Sequence, residues 1–207
     1  MATTTWVSFY DDLLPLVPGC SQAMADKVLL RAAQEWHDKT LCWRLWLSDV
    51  TTITDENTYA FGFAVGSELV QLLRSTLDGQ EQDVLTADSI PANWQSDTSW
   101  CDRKGIFTTD GDNFVLVPMP AADLVVSNEV ALRPSNAATG IDSIIFARYA
   151  YEIALGAAAR LHEMPGKPYS NANSTARARF ETAIARAASD AWHGSSRAPQ
   201  RVRARFL

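Results

Sequence analysis

The hydrophobic period of this chain changes twice, and that double change constrains the fold more than any other feature. In residues 21–43 apolar side chains recur every fourth position, at Met24, Val28, Ala32 and Trp36, with Ala25 and Leu29 beside them. That spacing puts one stripe on one face of a helix. Asp26, Lys27, Arg31, Glu35, Asp38 and Lys39 fill the other faces, and Ser21 stands where an N-cap is expected. A shorter helix is predicted over 6–17, closed by Pro15 and the Pro18-Gly19 turn. Trp36, Trp43 and Trp46 read as core anchors at the end of the long helix.

From Val50 the pattern becomes β-branched and alternating. Residues 50–54 and 59–65 read as strands around the turn Asp55-Glu56-Asn57. Residues 68–77 fit a helix as well as a strand, but Asp78-Gly79 is a strong hairpin signal, so strands are predicted over 68–77 and 80–86. A helical turn is expected near Pro91. A second hairpin is expected from 104–109 and 114–117 around Asp110-Gly111-Asp112-Asn113, and another strand over 124–132, stopped by Pro134. After Gly140 the helical period returns. Ile144, Ile145, Tyr149, Ile153, Leu155, Ala158 and Leu161 form one broad apolar face, ended by Met164-Pro165-Gly166-Lys167-Pro168. A last Ala/Arg-rich helix starts at Tyr169-Ser170-Asn171 and runs to about Trp192, where Gly194-Ser195-Ser196 releases the tail.

Helices, then strands, then helices, with no βαβ alternation, predict an α+β fold. The expected architecture is a helical bundle from the N- and C-terminal helices (1–47 and 140–193), an inserted antiparallel β-domain (48–139) and an extended C-terminal arm (194–207).

Charge is unevenly spread. Residues 1–159 hold nine Lys/Arg and 21 Asp/Glu, whereas residues 160–207 hold nine and three. A basic C-terminal quarter on an acidic body calls for a partner: nucleic acid, an acidic protein surface, or an acidic face of another copy. From Arg201 the arginines alternate with apolar residues. An extended segment would put Arg201, Arg203 and Arg205 on one side and Val202, Ala204 and Phe206 on the other. A solvated tail and a docking arm both fit this pattern; with Phe206 as its one aromatic, it suits nucleic acid less well.

Sites of chemistry are hard to find. His37, His162 and His193 stand apart from one another, and no HExxH, CxxC, Walker A or GxGxxG pattern occurs. Ser195 and Ser196 lie near His193 without an elbow or an acid partner. Asp110-Gly111-Asp112-Asn113 has a calcium-like order of oxygens, but Val115 and Ala121 stand where the loop glycine and the bidentate glutamate would be, so a tight turn is expected. Cys20, Cys42 and Cys101 read as reduced thiols. No apolar run approaches the roughly 18 residues of a membrane helix, and residues 1–6 lack the features of a signal peptide. No cofactor, metal or catalytic residue is expected.

Several segments, taken in order, resemble the head-to-tail connector (adaptor) proteins of tailed bacteriophages. They are Phe9-Tyr10-Asp11-Asp12-Leu13-Leu14-Pro15 through Val17-Pro18-Gly19-Cys20 with the helix that follows, the Leu77-Asp78-Gly79 hairpin, and Pro118 and Pro120 leading to Val130-Ala131-Leu132-Arg133-Pro134. Ala157-Ala158-Ala159-Arg160-Leu161, Met164 through Asn171 and the Arg-rich ending complete the set. The resemblance implies a structural virion protein with no enzymatic activity. It implies a ring, usually of twelve copies, beneath the portal at the head–tail interface, built in the host cytoplasm. Such a ring extends the DNA channel and carries the next connector or tail protein. Genomic DNA passes without sequence-specific binding, and no membrane is involved. The portal-docking arm would comprise Arg197, Arg201, Val202, Arg203, Arg205, Phe206 and Leu207. Asp78, Gly79, Asp110, Gly111, Asp112 and Asn113 are the candidate loops facing the tail or the lumen. An acidic body also suits a channel through which DNA slides, since carboxylates repel phosphates. A stopper or tail-completion protein is the alternative.

Overall fold

A computed structural model describes residues 3–86, 89–90, 105–108, 110–120, 123–171 and 173–195, with side chains described as far as residue 191. Residue 91 of the predicted turn, Cys101, and the arm from Ser196 onward lie outside the described residues. The fold is α+β, with four α-helices and ten strands among the described residues.

The first structural segment is not the single helix expected. Strand β1 (Thr3–Thr5) leads into a 3-10 turn (Trp6–Phe9) and a single helical turn, α1 (Tyr10–Leu13). Beyond it the amides of Leu16 and Val17 bond three residues back, to Leu13 and Leu14. Pro15 has no amide to donate, so the α-helical ladder cannot continue. Helix α2 (Gln22–Thr40) follows. Ser21 sits at its N-cap with extended dihedrals, but its hydroxyl makes no capping bond; its carbonyl instead accepts from Met24 and Ala25. The helix stops at Thr40, short of Trp43, because Leu41 turns left-handed at φ 50°.

The strands that follow are β2 (Arg44–Trp46), β3 (Val50–Thr51), β4 (Thr58–Ala60), β5 (Ser67–Leu77), β6 (Gln80–Val84), β7 (Gly105–Thr108), β8 (Asn113–Val117) and β9 (Val125–Pro134). The ambiguous stretch before Asp78 is therefore a strand. The predicted strands at 50–54 and 59–65 shrink to two and three residues. Beyond Ala60 the aromatic pair Phe61 and Phe63 stacks at 5.2 Å in place of strand pairing. Sheet order is β2-β9-β5-β6-β7-β8-β4, with β3 also on β9. All described pairs are antiparallel except β6–β7, which is parallel. The antiparallel expectation fails there because a long connection, not a hairpin, joins those two strands.

Strand β9 organises this sheet. It pairs with β2 and β3 along one side and with β5 along the other. Val126, Asn128, Val130 and Leu132 are buried, while Ser127, Glu129 and Arg133 alternate with them and are more exposed. A second, two-stranded ribbon was not foreseen: β1 pairs with β10 (Gly140–Asp142). A Cβ on Gly140 would collide with the Thr4 carbonyl, so the approach of these strands requires glycine. Asp142 then caps α3 (Ser143–His162) by accepting from the Ile144 amide at 2.8 Å.

Helix α3 kinks at Tyr149 (φ −134°, ψ 17°). Helix α4 (Ala176–Ser195) starts later than predicted, because 169–171 and 173–174 are not helical. Asn171 donates to the His162 carbonyl, and Ser174 Oγ accepts from the Ala176 amide. Gly194 and Ser195 belong to the helix, whose last described residue is Ser195.

One continuous core joins helices and sheet, with Phe9, Leu29, Trp36, Ile153 and Phe180 on the helical side and Leu72, Ile106, Phe114, Val126 and Leu132 on the other. Trp36 is 1% exposed and packs against Tyr149 at 5.1 Å and Phe180 at 5.9 Å. Trp43 is buried as expected, but Trp46 is 46% exposed, since the edge strand β2 turns it outward. Next to Trp36, Glu35 does the polar part of the joining. It accepts from Lys39 one turn along α2, from Arg160 on α3 at 2.6 Å and from Arg177 on α4 at 2.8 Å. Burial alone would raise its carboxyl; the bonds from Lys39 and Arg177 and the charges of Arg177 and Arg160 outweigh it and hold the group down to about 2.

The unfolded chain, with an ordinary glutamate, takes up this proton first as pH falls. Glu35 therefore stabilises the fold fully above about pH 4.5, and that contribution disappears as pH falls through about 2. Glu35→Gln is expected to cost about 2 kcal/mol at pH 7, because Arg160 loses its carboxylate and Arg177 keeps only Glu181, both remaining partly hydrated. Urea unfolding at pH 7 and pH 3 checks this: the gap between wild type and variant should narrow at the lower pH.

Candidate interaction surfaces

The two predicted turns form as expected but serve opposite ends of the sheet. Leu77 pairs with Gln80, and Asp78 (φ 50°) and Gly79 (φ 77°) occupy the left-handed positions of a two-residue hairpin. The Asp78 amide donates to Val125 O at 2.7 Å, tying the tip to the start of β9. Nearby, Asp123 donates its amide to Thr52 O, and Asp55 and Glu56 lie just beyond β3. Asp55 and Asp123 are left-handed too, each at φ 63°. This rim thus gathers four exposed carboxylates: Asp55, Glu56, Asp78 and Asp123. Following the register through β6, parallel β7 and antiparallel β8 puts Asn113, and the turn before it, at the other end, beside Ala60.

That second turn is held from within. The Asp110 carboxylate accepts from the Asp112 amide at 3.0 Å, from the Asn113 amide at 2.8 Å and from Asn113 Nδ2 at 2.8 Å. The bond from the Asn113 side chain leads the interactions that lower the Asp110 carboxyl. Gly111 is left-handed at φ 82°, and the Asp112 carbonyl accepts from Phe61. Asp110 is therefore spent on the turn, whereas the Asp112 side chain is exposed. No group of His, Cys, Asp or Glu that could hold a metal occurs among the described residues.

His37 and His162 are both held by hydrogen bonds inside the fold. His37 is fully buried; burial lowers it to about 4 against the pull of Ala33 O, which its Nδ1 reaches at 2.6 Å. His162 Nε2 donates to Leu16 O, so its Nδ1 accepts from the Ser174 hydroxyl. Cys20 and Cys42 are free thiols, both raised by burial.

Two features were invisible to sequence reading. One is a cleft of about 580 Å³ between α3 and α4, floored by Tyr149 and Ala183 and rimmed by Arg148, Arg179 and Arg186 with Glu152 and Asp190. It forms where α3 kinks, and no sequence signal marked Tyr149 as a kink. The other is a polar network in which Arg133 of β9 donates to Glu68 of β5 and Asp38 of α2. The arm residues Arg197, Arg201, Val202, Arg203, Arg205, Phe206 and Leu207 lie outside the described residues.

The family model for the SU10 adaptor protein matches residues 12–203, and the chain belongs to that family of phage head–tail adaptors. No curated protein matches the chain. Membership implies interactions with phage portal and tail proteins and a place at the virion neck; such structural families are not typically enzymatic. No helix among the described residues is long and apolar enough to cross a membrane.

The contrast between the two aspartates is testable by amide hydrogen exchange. Asp110→Lys should open the turn and speed exchange at the amides of Asp112 and Asn113, while Asp112→Lys should leave both unchanged.

Proposed function

We propose that this chain is the head-to-tail adaptor that forms a ring of about twelve copies beneath the portal, extends the DNA channel and carries the next connector or tail protein. The observation behind this reading is the family match across residues 12–203. The N- and C-terminal helices act as the bundle of the ring, and the strands between them act as the inserted platform. The basic ending carries the portal contact: Arg201, Arg203 and Arg205 meet acidic portal side chains, and Val202, Phe206 and Leu207 enter apolar ones. Arginine suits this role because its planar fork pairs with carboxylates at two points.

The two hairpin tips are divided between partners, since the register sends them to opposite ends of the sheet. The carboxylate rim at Asp55, Glu56, Asp78 and Asp123 suits the lumen, where like charge keeps the duplex from sticking. The Asp112 tip then faces the tail side.

Deleting residues 197–207 tests the arm. The truncated protein should keep the melting temperature of the full chain and lose attachment to DNA-filled heads, read by sedimentation of heads with bound adaptor. Normal attachment would refute the arm's role, and symmetric images of wild-type necks with a different copy number would refute the ring of twelve.

A further inference from the structure

Tryptophan is seldom left in solvent, and among the described tryptophan side chains one exception stands apart. Of the tryptophans whose side chains are described, Trp6, Trp36 and Trp43 are at most 9% exposed, while Trp46 is 46% exposed. It stands on β2, a three-residue strand at the edge of the large sheet. Across the β2–β9 pair it faces Glu129, and Asp49 is fixed beside that edge by accepting from the Ser127 hydroxyl. Neither Glu129 nor Asp49 forms an ion pair among the described residues, although Arg74, the β5 neighbour of Glu129, pairs with Glu81. The edge thus offers an aromatic knob between two carboxylates without a cation.

The cleft between α3 and α4 offers the counterpart. Its volume of about 580 Å³ is ample for one aromatic side chain. The floor is the half-buried Tyr149 ring with Ala178, Ala183 and Ala187, with Trp36 buried beneath them, a surface against which a second aromatic ring can pack. On the rim, Arg148 and Arg186 form no ion pair among the described residues, and Arg179 donates to the Tyr151 hydroxyl. Glu152 and Asp190 share the rim, leaving one net positive charge there.

We propose that Trp46 of one copy seats in the α3–α4 cleft of the next, with Glu129 and Asp49 pairing with Arg148 and Arg186. The inference rests on the ring reading and supplies its lateral contact. Two different patches of the same chain meet, so the contact is head-to-tail, the kind that closes into a ring when the rotation permits. The central indole is desolvated and the ion pairs surround it, the usual anatomy of an interface hot spot. Guanidinium groups over the indole add a cation–π attraction.

Full-length adaptor carrying p-benzoylphenylalanine at position 46 is assembled on heads, irradiated and digested. With one half of the copies isotopically heavy, the expected product joins position 46 of one copy to peptides spanning 148–152 or 178–190 of another. Trp46→Ala should lower the number of adaptors per head at least tenfold with an unchanged melting temperature, because the side chain is exposed in the free protein. Glu129→Arg should do the same, and adding Arg186→Glu should restore assembly. Rings with intact occupancy in Trp46→Ala, or crosslinks to other segments, would overturn the contact while leaving the ring reading in place. Wild-type necks without a ring would overturn both.

Discussion

Trp36 and Glu35, adjacent on α2, hold the helical half of this protein together by opposite physics. The indole loses its water against Tyr149 of α3 and Phe180 of α4. The carboxylate beside it keeps its charge by collecting Lys39, Arg160 and Arg177 from the same three helices. The apolar contact stabilises by removing a large ring from water, less the cost of burying the indole N–H, which has no hydrogen-bond partner among the described residues. Dehydration of its charges offsets part of what the ionic contact contributes, and the lowered Glu35 carboxyl shows that the attraction outweighs that cost. The ionic contact also fixes which turn of each helix faces which, because Glu35 can reach both arginines in few registers.

The sheet is tied to this centre through β9. Its buried face joins the same apolar cluster, and its Arg133 bonds outward to Asp38 of α2 and Glu68 of β5. Because the helices and β9 are locked together, the free ends of the other strands can vary without disturbing the core.

Much of this was legible along the chain. The four-residue recurrence around Trp36, the Asp78-Gly79 hairpin and the α+β order all rest on local rules, in which side-chain spacing and turn dihedrals suffice. The failures have equally local causes. Pro15 reduced a helix to one turn and 3-10 bonds, Leu41 ended α2 early, and the turns that anchor Asn171 to His162 delayed α4. Trp46 was misassigned to the core because sequence records its bulk but not which face of an edge strand it takes. Asp110 and Asp112 look equivalent in sequence, yet one carboxylate is consumed by the turn and the other is exposed.

The sequence alone determined the class of the fold, the split between acidic body and basic ending, and the adaptor resemblance, since composition, periodicity and ordered motifs are properties of one dimension. Only the tertiary structure decided that β1 returns to pair with β10, that β6 and β7 run parallel, that the two hairpin tips lie at opposite ends, and that a kink at Tyr149 opens a cleft rimmed by arginines. Each joins segments far apart in the chain or turns on a backbone angle that the surrounding packing imposes, and neither leaves a local signature to read.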